Sequence, residues 1–190
     1  GDGPRNGYEP LGQEIEGEAA TDHFGISIAL SGDGRRLAVG APYHDNGGDT
    51  RNVSGQVTVY ALVENTWKVL GRPLGGSNHL DRFGWKLDMS LDGSVLAVGA
   101  PRNLEYGGYV KFYKFSSDDG WSRLGGTVRH EIEPLRYDDN FGQSLRLTGN
   151  KRVAIGSPGK NGEALDAGLV AVYELNSENE WRLLGNAITS

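Results

Sequence analysis

Apolar and polar residues alternate along short segments of this chain, and the same segments return three times in one order. Ile26, Ile28 and Leu30 alternate with small residues, which is the period of two expected of a half-buried strand. No segment sustains an apolar period of 3.6 residues, so almost no helix is expected. The pattern predicts an all-β chain.

Four sequence blocks define the repeated unit. The first block begins with Phe-Gly, at Phe24, Phe83 and Phe141. The second ends in Gly-Ala-Pro or Gly-Ser-Pro, at 40–42, 99–101 and 156–158. The third ends in tyrosine, at Tyr60, Tyr113 and Tyr173, and the fourth is Trp-x-x-Leu-Gly, at 67–71, 121–125 and 181–185. Each block predicts one strand, and tandem four-stranded antiparallel units of this length are typical of propeller blades.

The repeats divide this single repeat domain, 1–190, into three blades at 21–72, 80–126 and 138–186. Residues 8–12 match the fourth block with Tyr8 in place of Trp, so 8–20 are expected to supply one leading strand, the last strand of a preceding blade. Three units and one strand are too few for a ring of ~4–8 blades. We therefore expect the chain to be part of a larger, seven-bladed β-propeller.

Phe-Gly followed by Gly-Ala-Pro resembles the FG-GAP repeat, the blade unit of the integrin α-subunit head. The resemblance runs from about residue 8 to residue 185. It departs from the motif in the third unit, where Ser157 replaces the alanine of Gly-Ala-Pro. It implies a β-propeller used in adhesion or protein recognition, of a kind that seldom carries catalysis. It also implies an extracellular or cell-surface location.

Composition narrows the class of function. The chain has no cysteine, which excludes a disulfide scaffold, a Cys-ligated metal and a thiol nucleophile. Its formal net charge of −6 argues against nucleic acid as a partner. No run approaches the ~20 apolar residues of a membrane span, so no direct membrane insertion is expected. Asn52 begins an Asn-Val-Ser sequon, a glycosylation site if the protein is secreted.

Calcium-binding FG-GAP blades carry several aspartates in the turn between the first two strands. The corresponding turns here hold Asp33 alone, Asp92 alone, and no acid at 149–151. One carboxylate cannot supply the six to eight oxygens that calcium takes. Asp33 and Asp92 are therefore predicted to serve the hairpin turns, with no metal and no cofactor.

Ten residues in the connections after the second strand and between blades are candidate partner contacts. In FG-GAP propellers these connections form the usual ligand face. His44, Asp45 and Asp49 could instead ligate a metal, and a solvated loop is the plain alternative. The candidates are Tyr43, His44, Asp45, Asp49, Arg51, Arg102, Tyr106, Arg136, Tyr137 and Lys160.

Two further positions recur in every unit. An aspartate precedes each Phe-Gly by two residues, as Asp22, Asp81 and Asp139. A structural role is needed in each blade whereas an active site is needed once, so repetition favours structure over catalysis. The same reasoning assigns the recurrent tryptophans to packing between blades, at Trp67, Trp121 and Trp181.

The sequence thus predicts a non-catalytic interaction or adhesion module that binds a protein or glycan through its loops. It could also be a subunit of an extracellular assembly, joined to other chains or to remaining blades. Catalytic signatures such as Gly-x-Ser-x-Gly or His-Glu-x-x-His are missing. The alternative is a propeller hydrolase or lyase with a carboxylate-lined channel, but the strands offer Asp88 alone, without an evident partner.

Overall fold

The computed structural model describes residues 9–45, 53–105, 107–129, 138–160 and 167–189. Within these ranges the regular structure is strand and no helix occurs, as the alternation predicts. The strands form three antiparallel sheets, one for each sequence repeat. We call each sheet, together with the Phe-Gly turn that leads into it, a unit: unit 1 (residues 21–75), unit 2 (residues 80–129) and unit 3 (residues 138–189).

Each sheet contains four ordinary strands and one two-residue segment. In unit 1 these are β1 (Ser27–Leu30), β2 (Arg36–Ala41), β3 (Gln56–Val63), β4 (Thr66–Val69) and β5 (Leu74–Gly75). In unit 2 they are β6 (Lys86–Met89), β7 (Val95–Ala100), β8 (Tyr109–Ser116), β9 (Gly120–Arg123) and β10 (Val128–Arg129). In unit 3 they are β11 (Ser144–Thr148), β12 (Arg152–Ser157), β13 (Leu169–Leu175), β14 (Trp181–Leu183) and β15 (Ile188–Thr189).

The two-residue segment is the continuation of an interrupted fourth strand. In unit 1, β4 pairs with Tyr60–Val63 of β3, and β5 pairs with Gln56 and Val57 of the same strand. Between them Gly71 adopts a left-handed φ of 81°, a conformation that glycine reaches without steric cost. Units 2 and 3 repeat this pairing. Each unit is therefore a four-stranded antiparallel meander whose last strand is broken near its middle.

The hydrophobic cores lie between neighbouring sheets. One core joins buried residues of units 1 and 2, and the other joins units 2 and 3. The first strands of the units are also neighbours, because β6 contacts both β1 and β11. Sheets packed face to face around adjacent first strands are the arrangement of consecutive propeller blades.

Residues 9–17 pack against unit 1 at the place of a preceding unit's fourth strand. The indole Nε1 of Trp67 donates a hydrogen bond of 2.9 Å to the carbonyl oxygen of Leu11. The side chain of Gln13 accepts from the backbone nitrogen of Trp67 and donates to its carbonyl oxygen, both at 2.8 Å. The described part of this segment, residues 9–20, forms no strand.

Candidate functional site

A tight turn opens each unit and determines where its side chains point. The residue before each Phe-Gly has a left-handed backbone, with φ of 53° at His23, 58° at Arg82 and 55° at Asn140. In unit 2 the turn is closed by hydrogen bonds from the Gly84 nitrogen to the Gly99 oxygen and from the Trp85 nitrogen to the Arg82 oxygen. Behind this turn Phe83 and Phe141 are fully buried, whereas Phe24 is half-buried.

The aspartate of each turn is buried and contacts the residue two positions beyond the second-strand proline. The pairs are Asp22 with His44 at 2.7 Å, Asp81 with Asn103 at 2.6 Å, and Asp139 with Lys160 at 3.2 Å. The contact therefore ties the start of each unit to the end of its second strand, which confirms the structural role predicted for these aspartates.

Asp81 shows the most developed form of this contact. Its carboxylate accepts hydrogen bonds from the backbone nitrogens of Ser77 and Asn78, at 3.0 and 2.9 Å. The hydroxyl of Tyr109 donates to the same carboxylate at 2.6 Å. Burial, and then the contact with Asp81, raise the pKa of Tyr109, so that its hydroxyl remains a donor at neutral pH.

A pocket of about 290 Å³ lies above this contact, at the loop side of the junction between units 1 and 2. Unit 1 contributes one wall through the connection after β2, and unit 2 contributes the rest. The pocket is lined by Tyr43, Leu80, Arg82, Trp85, Arg102 and Leu104.

Arg82 is one of the two arginines that line this pocket. Its guanidinium carbon lies 3.8 Å from the centre of the Tyr43 ring, which is a cation–π distance. The ring of Tyr43 is held in turn by His23 at 4.4 Å and lies 6.5 Å from Trp85. One guanidinium nitrogen, Nη1 of Arg82, is buried and has no hydrogen-bond partner within the part of the chain that the structure describes.

The electrostatics of the pocket favour an anion. Burial is the main cause that lowers the pKa of Arg82, Tyr43 opposes it, and the positive charge of Arg102 adds to it. Arginine nonetheless stays charged at physiological pH, so a partly buried positive charge lies in the pocket. None of the described lining residues is acidic. A carboxylate is the natural ligand, because the guanidinium fork matches its two oxygens.

Two of the predicted partner contacts lie together in the pocket. Tyr43 and Arg102 line the pocket. Asp45 is half-buried and forms an isolated antiparallel bridge with Val53. Six predicted residues lie outside the described ranges, namely Asp49, Arg51, Asn52, Tyr106, Arg136 and Tyr137.

Lys160 and His44 require a correction. Lys160 was expected on the loop surface, but its residue is only 3% exposed and its ammonium contacts the buried Asp139. His44 is likewise largely buried against Asp22. Both residues occupy the position that faces the turn aspartate, and a loop residue at that position folds inward to satisfy the carboxylate.

Arg82 and Trp85 were missed as site residues. Trp85 has no aromatic counterpart in the other units, where Ile26 and Gln143 stand, and that difference was a usable signal. Arg82 likewise differs in chemistry from His23 and Asn140 at the equivalent turn position. Residues that break a repeat pattern at a loop position are therefore the informative ones here.

The turn aspartates behave as predicted from the Asp-Gly pattern. Asp33 accepts hydrogen bonds from the hydroxyl of Ser31 at 2.6 Å and from the Arg35 nitrogen at 3.0 Å. Asp92 repeats these contacts with Ser90 and Ser94. No group of three or more metal-ligating side chains occurs among the described residues. The same residues contain no helix that is long and apolar enough to cross a membrane.

Asp88 also has a partner, contrary to the expectation from sequence. Its carboxylate accepts a hydrogen bond of 2.6 Å from the backbone nitrogen of Leu147 and lies 3.6 Å from the guanidinium of Arg146. Asp88 is on β6 and both partners are on β11, so the contact joins the first strands of units 2 and 3. The carboxylate is thus used in joining the units.

Comparison with known families agrees with this architecture. A family model described as FG-GAP repeat matches residues 16–60, which include β1 and β2 and most of β3. This confirms the resemblance drawn from the Phe-Gly and Gly-Ala-Pro blocks. Units 2 and 3 share the strand order and turn geometry of this FG-GAP repeat.

Two solved structures show the same fold at low identity. The first is Sqt1 of Saccharomyces cerevisiae, with a TM-score of 0.57 and 13% identity over 90% of this chain. The second is a candidate 6-phosphogluconolactonase of Bacteroides uniformis, with a TM-score of 0.57 and 14% identity over 85% of this chain. Both are propeller-like. This chain covers 37% and 39% of their lengths, and no curated protein matches it.

Proposed function

We propose that this chain is a non-catalytic interaction module that binds an acidic segment of a protein partner. The pocket between units 1 and 2 receives a carboxylate side chain. What supports the proposal is one observation above the others, the buried Nη1 of Arg82, which has no hydrogen-bond partner in the described part of the chain. A buried donor of this kind is costly to leave unmatched, and a ligand carboxylate would satisfy it.

The rest of the pocket suits a peptide side chain better than a free ion. Arg102 is exposed at the rim, where it would add a second positive charge close to the ligand. Leu104 is exposed and Leu80 is half-buried, so both offer apolar surface to the carbon atoms of the ligand. Aromatic residues and arginine are the residue types most enriched where binding energy is concentrated. The FG-GAP repeat and the propeller-like fold support a role in protein interaction, and by resemblance a place outside the cell.

The test uses an array of short peptides in which each acidic peptide is paired with its amide analogue, Asp with Asn and Glu with Gln. The full chain is labelled and its binding measured by fluorescence polarisation at low salt. We expect acidic members to bind at least about tenfold more tightly than their amide partners, which corresponds to about 1.4 kcal/mol. Rising salt should weaken the binding, because part of the attraction is exposed to solvent.

The chain itself supplies the variants. Arg82→Asn introduces the residue that stands at the equivalent left-handed position of unit 3, Asn140, so the turn should be retained. This variant should lose the preference for acidic peptides. Arg72→Gln removes an exposed arginine of unit 1 outside the pocket and should keep it. Equal binding of acidic and amide peptides by the unmodified chain would contradict the proposal.

A further inference from the structure

The face of unit 2 that is turned towards unit 1 carries three basic side chains near the edge of its sheet. Lys111 lies on β8 between Tyr109 and Tyr113, which belong to the core between the two units. Arg123 on β9 is paired with Tyr113, and Arg129 on β10 is paired with Tyr109. Side chains alternate along a strand and paired residues share a face, so the three basic residues project from the same side. We call Lys111, Arg123 and Arg129 the basic row.

The basic row is specific to unit 2. The pairing of the strands gives the equivalent positions in the other two units. They hold Thr58, Val69 and Gly75 in unit 1, and Ala171, Leu183 and Thr189 in unit 3. None of these six residues is charged. The architecture of a unit therefore does not require a cation at any of the three positions, yet three lie together in a chain whose formal net charge is −6.

Lys111 is half-buried, and neutral groups hold its ammonium. The ammonium donates a hydrogen bond to the hydroxyl of Ser77. It lies 4.8 Å from the centre of the Tyr109 ring and 5.7 Å from the centre of the Phe83 ring, both of which are cation–π distances. These contacts fix the position of the charge without neutralising it.

The electrostatics around Lys111 favour an incoming anion. Burial is the main cause that lowers the pKa of Lys111, and the positive charges of Arg123 and Arg129 add to it. Asp81 opposes the lowering, but its carboxylate is fully buried and already accepts the hydroxyl proton of Tyr109. No carboxylate of the described residues forms an ion pair with Lys111 or Arg123. A half-buried cation beside two others is stabilised when a negative group approaches it.

Arg123 is held by neutral groups in the same way. Its guanidinium donates a hydrogen bond of 2.9 Å to the hydroxyl of Thr127. Its guanidinium carbon lies 5.4 Å from the centre of the Tyr113 ring. Arg123 and Arg129 are both exposed, so a ligand can reach them. The hydroxyls of Ser77 and Thr127 add groups that can both donate and accept hydrogen bonds at the row.

The basic row has a length as well as a charge. Tyr109 and Tyr113 are four residues apart on β8, which is about 13 Å of strand, and the two arginines are paired with them. Lys111 lies midway between the tyrosines. A chain that carries several anionic groups can contact all three cations along this length, whereas a single sulfate or phosphate group spans only part of it. The row therefore fits a linear polyanion.

We propose that the basic row binds a sulfated polysaccharide, whose sulfate groups pair with Lys111, Arg123 and Arg129. The guanidinium fork matches the oxygens of a tetrahedral anion. Sugar hydroxyls match the hydroxyls of Ser77 and Thr127, whereas the side chains of an acidic peptide offer carboxylates alone. None of the three basic residues lines the pocket of Arg82, so this site is separate from the one that receives a carboxylate.

The test measures binding of a sulfated tetrasaccharide prepared from heparin to the full chain, by isothermal titration calorimetry at low salt. The same tetrasaccharide after chemical desulfation is the matched ligand. We expect the sulfated form to bind at least about tenfold more tightly, which corresponds to about 1.4 kcal/mol. Rising salt should weaken the binding, because part of the row is exposed to solvent. Equal binding of the two tetrasaccharides, or no binding at millimolar ligand, would overturn the proposal.

The repeats supply the variants that test the location. Lys111→Thr introduces the residue of unit 1, Thr58, and Arg123→Leu introduces the residue of unit 3, Leu183, so both should fold. Each should weaken binding of the sulfated tetrasaccharide by at least about fivefold. Lys114→Gln removes the same charge from the other face of β8 and should change the affinity by less than about twofold.

Two further results would contradict the proposal. One is a Lys114→Gln variant that loses as much affinity as Lys111→Thr, because the binding would then follow net charge and not the basic row. The other is a polyglutamate peptide of equal charge that binds as tightly as the sulfated tetrasaccharide, because the site would then not select sulfate groups on a sugar. Thermal melts of each variant confirm that a loss of binding is not a loss of fold.

Discussion

The indole nitrogen of Trp121 in unit 2 donates a hydrogen bond of 3.1 Å to the carbonyl oxygen of Leu70 in unit 1. The same bond joins Trp181 to Leu124 at 3.2 Å. The bond from Trp67 to the carbonyl oxygen of Leu11 is the third at an equivalent position. The recurrent tryptophans therefore bind unit 2 to unit 1, unit 3 to unit 2, and unit 1 to the segment around Leu11, as their spacing predicts.

Loss of this bond should weaken the junction measurably. Trp121→Phe keeps an aromatic ring but removes the donor, so the carbonyl oxygen of Leu70 loses its partner. We expect the free energy of unfolding to fall by about 1–2 kcal/mol, measured by urea denaturation. Trp85→Phe changes a tryptophan that lines the pocket and does not make this bond, so it should lower the free energy of unfolding by less. Equal losses for the two variants would contradict this assignment.

Asp81 should be among the most sensitive positions in unit 2. Asp81→Ala leaves the Tyr109 hydroxyl and the Asn103 amide without their carboxylate partner in a buried site. We expect a loss of about 3 kcal/mol or more in the free energy of unfolding. Tyr109→Phe should cost about 1–2 kcal/mol. The double variant should cost clearly less than the sum of the two, and strict additivity would show that the two residues are not coupled.

Asp92 should make stability depend on pH in the acid range. Hydrogen bonds from Ser90, Asn150 and Ser94 lower its pKa in the folded chain. The unfolded value is about 3.9, so the stabilisation is fully present above that pH and is lost as pH falls through the lower folded value. Asp92→Asn should therefore be less stable than the unmodified chain at pH 7, with a difference that shrinks below about pH 4.

Thermal melts between pH 2 and pH 7 measure this dependence. Glu9→Gln, which removes an exposed carboxylate outside the turns, is the control and should follow the unmodified chain throughout. A difference between Asp92→Asn and the unmodified chain that stays constant down to pH 2 would show that the charge of Asp92 is not its cause.

Gly99 on β7 and Gly156 on β12 occupy equivalent positions in their units, but their surroundings differ. A Cβ atom at Gly99 would overlap the carbonyl oxygen of Gly142, whereas at Gly156 it would meet only the Ser144 side chain, whose hydroxyl can rotate. We expect Gly99→Ala to cost about 1–3 kcal/mol by overpacking. Gly156→Ala should cost less than about 1 kcal/mol. The comparison fails if both substitutions destabilise equally in urea denaturation.

Much of the fold could be predicted from sequence because its determinants are local. The alternation at Ile28 and Leu30, the Asp-Gly turn at Asp33 and the repeated Phe-Gly pair each act within a few residues. The interruption of the fourth strand was not predicted, since it depends on the pairing of β4 and β5 with the same partner strand. The inward direction of Lys160 was missed for a similar reason, because its partner Asp139 is far away in the sequence.

The sequence by itself determined the strands, their number in each unit and the repetition of the unit. The tertiary structure decided which of the alternating residues are buried. Ile28 on β1 is 63% exposed, whereas its counterpart Leu145 on β11 is 6% exposed. The two lie in the same pattern, but unit 2 packs against the face of Leu145 and no described unit packs against that of Ile28. Alternation is a property of one strand, while burial requires a second surface, and only the folded chain supplies it.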